Sequence, residues 1–101
     1  MKVETYLKLD KIIHERGRMG IMSMLAANPD LSFVEIKRSL TMTDGNLSVH
    51  IRTLQQAEYI EVTKSFFNNR PLTTCRMTAK GRRAFKKYIK QLESIVQENQ
   101  H

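Results

Sequence analysis

Apolar residues fall at helical spacing along most of this chain, and the spacing changes once, near Ile60. Tyr6, Leu7, Leu9, Ile12 and Ile13 predict an amphipathic helix over about 5–14. Met19, Ile21, Met22, Met24 and Leu25 predict a second that reaches Ala27 and stops at Asn28-Pro29-Asp30, since Pro29 disfavours helix in the residue before it. Gly17 and Gly20 weaken this second helix and mark a kink or a close approach between helices. Ser32-Phe33-Val34-Glu35 has the form of a capping box, with the Ser32 hydroxyl on one free amide and Glu35 reaching back to another. It starts a short helix through Leu40, with Phe33, Ile36 and Leu40 on one face. After the tight connection Thr41-Met42, Thr43 or Asp44 caps a longer helix to about Ala57, whose apolar spine is Leu47, Ile51 and Leu54. From Ile60 the period becomes two: Ile60, Val62, Lys64 and Phe66 alternate with Glu61, Thr63, Ser65 and Phe67. Asn68-Asn69-Arg70-Pro71 is a turn signal, and residues 72–77 read as the returning strand. Thr78 then caps a final helix over 79–98, whose apolar positions Phe85, Tyr88/Ile89, Leu92 and Ile95/Val96 recur in steps of three and four.

The resulting order predicts a mainly α chain with a small β-hairpin, a winged helix-turn-helix with extended N- and C-terminal helices. Its parts are N-terminal helices over 5–27, a helix-turn-helix over 32–57, a wing hairpin over 60–77 and a C-terminal helix over 79–98. An α-helix fits the major groove of DNA, with its N-terminal residues toward base edges. The helix over 43–57 suits that role. Its spine fastens it to a core, while Asn46, Ser48, Val49, Arg52 and Thr53 form a face of short hydrogen-bonding groups with no acid in its middle. Gly45 in its first turn costs helix stability but lets backbone approach a phosphate.

Charge sharpens this picture. The chain of 101 residues carries a formal net charge of +7. Residues 61–90 hold nine Lys/Arg against the single acid Glu61, a surplus of +8, and the other 71 residues sum to −1. Concentrated positive charge suits a polyanion, although by itself it fits a solvated basic helix equally well. Length and composition predict one ordinary globular domain. The polar opening Met1–Tyr6 lacks the look of a secretion signal, no apolar run reaches membrane length, and lone Cys75 offers no intrachain disulfide. A cytoplasmic protein with no membrane partner is expected.

The run TDGNLSVHIRTLQQAEYIEVTKSFFNNRPLTTCRMTAKGRRAF, residues 43–85, resembles the small winged-helix transcription regulators grouped with the MarR and ArsR types. Leu9-Asp10-Lys11-Ile12-Ile13-His14 is similar to the opening segment of one compact branch, and the resemblance covers roughly 9–92. It implies a homodimeric, repressor-like protein on double-stranded operator DNA, with the recognition helix in the major groove, the wing on backbone or minor groove, and the terminal helices building the dimer. Carried over by position, Asn46, Ser48, Val49 and Arg52 fall on the exposed recognition face, and Lys64, Arg70, Thr73 and Thr74 on the wing. Three departures stand out. Glu58 occupies a position where the family usually has Gly, Glu15-Arg16 replace a common Ser-Pro so that the first two helices are expected to join, and Cys75 replaces a Tyr.

The expected DNA-binding set is therefore Thr43, Asn46, Ser48, Val49, Arg52, Thr53, Lys64, Arg70, Thr73 and Thr74. Arg52 suits either bidentate contact with a guanine, worth about 1–3 kcal/mol of discrimination, or a phosphate, and the sequence favours phosphate. Arg70 at the wing tip suits a narrow minor groove. His50 reads as a half-buried packing residue and Cys75 as a buried strand residue rather than a redox switch. The expected dimer interface is Tyr6, Leu9, Ile13, Phe85, Ile89, Leu92 and Val96, unless these residues close the core of a monomer. No cofactor or metal is expected, because His14, His50, Cys75 and His101 lack ligand spacing. No nucleophile–base constellation points to an enzyme. The other functional reading is a winged-helix interaction or assembly module whose basic segment docks an acidic partner.

Overall fold

The computed structural model describes residues 3–98, without the Val3 side chain; Met1, Lys2 and the last three residues, His101 among them, lie outside it. The chain runs α1 (Val3–Leu7), α2 (Arg16–Ala27), β1 (Leu31–Ser32), α3 (Phe33–Leu40), α4 (Asp44–Gln56), β2 (Ile60–Phe67), β3 (Arg70–Met77) and α5 (Ala79–Glu98). The fold is mostly helical with one small antiparallel sheet in the order β1-β3-β2. No helix among the described residues is long and apolar enough to cross a membrane.

The N-terminal segment departs from its periodicity. One helix over 5–14 was expected, joined to the next, but α1 ends at Leu7 and Glu15 is extended at φ −150°. Asp10 is the cause. Its carboxylate accepts the amides of Ile12 and Ile13 at 2.8 and 3.0 Å, which closes a separate turn. Short acidic side chains favour such local bonds over helix continuation. The other carboxylate oxygen accepts the Tyr59 hydroxyl at 2.5 Å, tying this segment to the base of the wing. Burial and then Asp10 push the Tyr59 hydroxyl up to about 12. The new path carries Leu9 and Ile13 into the core, where they are buried beside Ile21, Met22 and Leu25 of α2.

Local chemistry accounts for the helix ends. Ser32 and Glu35 form the expected capping box on α3. Thr43 caps α4 by accepting the Asn46 amide at 3.1 Å, and Thr78 caps α5 through the Gly81 amide at 2.9 Å. Both helices of the helix-turn-helix close alike. After α3 the amides of Thr41 and Met42 return to Arg38 and Lys37; after α4 those of Glu58 and Tyr59 return to Gln55 and Leu54. This paired closure needs a left-handed residue, usually Gly. Here Thr41 at φ 53° and Glu58 at φ 65° occupy those places, so each closure carries backbone strain.

The sheet is larger than a hairpin because Leu31 and Ser32 pair with Cys75 and Thr74. The hairpin turn is also tighter than the expected four residues. Only Asn68 and Asn69 form it, both at positive φ, as a primed two-residue turn requires. Arg70 and Pro71 therefore belong to β3, opposite Phe67 and Phe66. Pro71 fits because pairs next to such a turn alternate between bonded and non-bonded, and β1 does not extend far enough along β3 to need its missing amide.

Two glycines permit close approach. A Cβ on Gly17 would stand 2.9 Å from the His50 ring and the Met42 side chain, so α2 rests directly on α4 and the turn before it. A Cβ on Gly81 would stand 2.1 Å from the Tyr59 carbonyl oxygen. Gly81→Ala is therefore expected to destabilise by at least about 2 kcal/mol, whereas Glu58→Gly should stabilise by up to about 1 kcal/mol. Denaturant unfolding with an unchanged m-value checks both.

Candidate nucleic-acid interface

The α4 helix is divided into two sides. Leu47 and Leu54 are fully buried and Ile51 nearly so, and burying each such side chain contributes about 1.5–3 kcal/mol. The opposite side, Thr43, Gly45, Asn46, Ser48, Val49 and Arg52, is exposed, with nothing within 4 Å of where a Gly45 Cβ would stand. The structure thus brings five of the six α4 candidates onto one open surface. Thr53 is the exception: it is half-buried, and its hydroxyl donates to the Val49 carbonyl at 3.0 Å. Gln56 was not singled out in the sequence, yet it is exposed and continues the row through Val49 and Arg52. Steps of three and four from those residues would have found it.

Asp44 is the one acid in the first turn of α4, and Lys37 of α3 pairs with it at 2.8 Å. The pair keeps an acid at the positive end of the helix dipole while offsetting its charge toward an anion. His50 lies at the margin of the face and is held from behind. Arg18 Nη1 donates to His50 Nδ1 at 3.1 Å, and Arg18 Nε donates to the Ile12 carbonyl. A guanidinium only donates, so Nδ1 accepts and the ring proton sits on Nε2. Glu15 completes the clamp by accepting the Arg18 amide at 2.8 Å. Burial pushes the Glu15 carboxyl up, but the amides of Arg18 and Gly17, with the Arg18 guanidinium beside it, outweigh this and leave it lowered. Exposed Arg16 and Asn46 line an open recess in front of this clamp. Arg16 is a cation that the sequence pattern did not assign to the site.

The wing candidates do not share a surface. Ile60, Val62, Lys64 and Phe66 lie on one side of β2, across from Met77, Cys75, Thr73 and Pro71. Thr63 and Phe67 lie on the other side, across from Thr74 and Arg70. Lys64 and Thr73 thus face one way, Arg70 and Thr74 the other. Thr73 and Thr74 are half-buried and stand three and four residues from Arg70, about 10–13 Å along the strand. Lys64 and Arg70 are exposed. Arg76 is engaged elsewhere, its guanidinium meeting both oxygens of Asp30 at 3.1 and 3.3 Å. The basic side of α5 turns toward α1, where Arg83, Lys86, Lys87 and Lys90 join Lys8 along a groove. Cys75 is buried, and burial pushes its thiol up to about 11, which keeps it in the unreactive neutral form.

The interface candidates at the ends of the chain also separate. Leu9 and Ile13 are corrected: their burial in the core of the single chain removes them from any outer surface. Phe85, Ile89 and Leu92 are partly buried against the same core, while Tyr6 and Val96 are each 55% exposed.

Residues 17–96 match a family model described as a winged helix DNA-binding domain. An uncharacterized protein of Methanocaldococcus jannaschii is 37% identical over 79 residues, which span 78% of this chain and 86% of its own. The structure of a transcriptional regulator homologue from Pyrococcus horikoshii OT3 is similar at a TM-score of 0.89 and 27% identity, over 97% of this chain and 99% of that one. A MarR-family transcriptional regulator from Silicibacter pomeroyi is similar at a TM-score of 0.67 and 13% identity, over 91% of this chain and 61% of that one, a likeness of fold alone. The buried ridge and open face of α4, the two-stranded wing behind it and the match over 80 residues place this chain in the winged helix DNA-binding domain family.

Proposed function

We propose that this protein is a sequence-specific regulator of transcription that binds double-stranded DNA as a homodimer and acts as a repressor. The observation that carries the reading is the open side of α4, where Asn46, Ser48, Val49 and Arg52 are exposed while Leu47, Ile51 and Leu54 anchor the helix from behind. Such a helix enters a major groove with its N-terminal half toward the bases. Asn46 and Ser48 offer hydrogen bonds, Val49 a methyl contact, and Arg52 a guanine or phosphate contact. Arg16 and Lys64 would hold flanking phosphates, and Arg70 the adjacent minor groove. Family membership and the regulator-like architecture of the Pyrococcus horikoshii structure support this reading, and neither the fold nor its cavities suggest an enzyme.

The dimer rests on α1 and α5. At 20 residues α5 is the longest helix, and the chain extends 57 Å along its long axis with a radius of gyration of 15.2 Å, above the ~13 Å of a compact domain this size. Tyr6, Leu7 and Val96 are exposed on these elements, beside partly buried Phe85, Ile89 and Leu92. Covering them with a second copy sets two α4 helices on successive turns of a palindromic duplex, about 34 Å apart.

A duplex selected from random DNA should be bound with affinity that falls steeply as salt rises. Arg52→Ala should weaken that complex by about 5- to 150-fold, equivalent to 1–3 kcal/mol, and Arg70→Ala should reduce the slope of log K against log salt by about 1. Equal affinity and slope in wild type and both variants would remove these residues from the interface. Sedimentation should show a dimer that a Tyr6→Glu/Val96→Glu double variant converts to a folded monomer with weaker binding to the palindrome. An unchanged mass would reject the α1–α5 interface.

A further inference from the structure

The most exposed aromatic residues of the chain sit at the end of the wing. Phe66 is 76% and Phe67 66% exposed. An aromatic side chain carries the largest apolar area a residue can bury, so two neighbouring rings left in water are a costly arrangement for a surface hairpin. No neighbouring element covers them. Beyond Val62 every residue of β2 is exposed, and past the Thr63–Thr74 pair, where β1 ends, the hairpin runs on for about 13 Å at strand rise. The Asn68-Asn69 turn makes its end two residues wide.

Register sets the shape of this end. Consecutive strand residues point to opposite faces, so Phe66 stands across from Pro71 on one side and Phe67 across from Arg70 on the other. Lys64 lies two residues behind Phe66 on its own face. No Asp or Glu occurs between Glu61 and Glu93. The tip is therefore a narrow ribbon with an apolar ring on each side and a cation beside each ring. That combination suits a partner whose surface is anionic on its rims and apolar in its interior. A duplex presents this in the minor groove, where phosphates border a slot about 6 Å wide floored by stacked bases. An anionic lipid surface shares the charge, but residues lying in a membrane interface gather their apolar groups on a single side, which the alternation here prevents.

We propose that the wing tip is an apolar wedge: Phe66 and Phe67, guided by Lys64 and Arg70, enter the minor groove beside the recognition-helix site, part a base step and bend the duplex. The inference rests on the duplex-DNA reading above and adds to it a DNA deformation and the residues that cause it. Aromatic and aliphatic wedges of this kind kink DNA by about 20–90° toward the major groove. The step they part contributes specificity without hydrogen bonds, because pyrimidine–purine steps open most easily.

The test uses the full chain and a selected duplex carrying end labels for energy transfer and 2-aminopurine at successive flanking positions. Wild type is expected to shorten the end-to-end distance and to raise 2-aminopurine fluorescence severalfold at one step under each wing. A Phe66→Ala/Phe67→Ala double variant, which removes only exposed side chains, should melt with wild type and keep the salt slope. It should bind within about tenfold of wild-type affinity, since lost ring contacts are offset by unstacking no longer required, but leave the duplex straight and the probe quenched. A Phe66→Tyr/Phe67→Tyr variant should restore the bend. A wild-type complex that is straight and unperturbed, or a double-alanine variant that bends DNA equally, overturns the wedge while leaving the binding reading intact. Wild type that binds no duplex overturns both. Loss of self-association of the free protein, or of binding to phosphatidylserine vesicles, with the DNA bend unchanged in the double-alanine variant assigns the rings to that partner and overturns the wedge.

Discussion

The approach of α2 to α4 is the constraint on which the rest of the molecule depends. Leu47, Ile51 and Leu54 become a buried ridge only if another backbone comes close enough to exclude water from them. Gly17 makes that possible, since a Cβ there would meet the His50 ring and the Met42 side chain. Once the backbones are this near, His50 has one place to lie, against Arg18, and Arg18 in turn is held by the Ile12 carbonyl. The buried ridge sets the rotation of α4 about its own axis, and the clamp holds its margin in place. That rotation decides which residues face outward, and it leaves Asn46, Ser48, Val49 and Arg52 on the open side.

A second set of polar bonds ties the remaining elements to this pair. Asp10 holds the turn before α2 and accepts the Tyr59 hydroxyl at the root of the wing. Tyr88 of α5 is fully buried, and its hydroxyl lies 2.8 Å from His14 Nδ1 and 3.4 Å from the Met19 sulfur. Among the described residues no buried side-chain polar atom lacks a partner. Polar groups satisfied in this way specify one arrangement, because breaking any of them leaves a desolvated group without a partner. The N-terminal segment thus serves as a strap linking α2, the wing root and the long helix. The Gly81 contact with Tyr59 then fixes where α5 departs.

Much of this was legible in the residues themselves. The caps at Ser32 and Thr78, a cap of α4 at Thr43 or Asp44 that the structure gives to Thr43, the helix ridge of α4 and the change of period at Ile60 were legible, because each depends on neighbours along the chain. The exposed face of α4 was legible for the same reason: once three spine residues are assigned, helical geometry places the others. Thr53 is less open than its neighbours, and its hydroxyl returns to the carbonyl four residues back. Gln56, four residues after Arg52, follows from the same helical geometry.

What the sequence determined by itself was therefore the kind and order of the elements, which side of each is apolar, and the concentration of charge after Glu61. Only the tertiary structure decided how these are used. It buried Leu9 and Ile13, since Asp10 finds Tyr59 49 residues away. It paired Leu31 and Ser32 with β3, making a sheet of three strands where periodicity shows two. It drew Arg76 to Asp30 and turned Arg83, Lys86, Lys87 and Lys90 of α5 toward α1. It also shortened the hairpin turn from four residues to two, which placed Arg70 and Pro71 on β3 opposite Phe67 and Phe66. These outcomes depend on contacts between residues far apart in the chain, whose energies exist only after the backbone has brought them together, and no local pattern of residues encodes that distance.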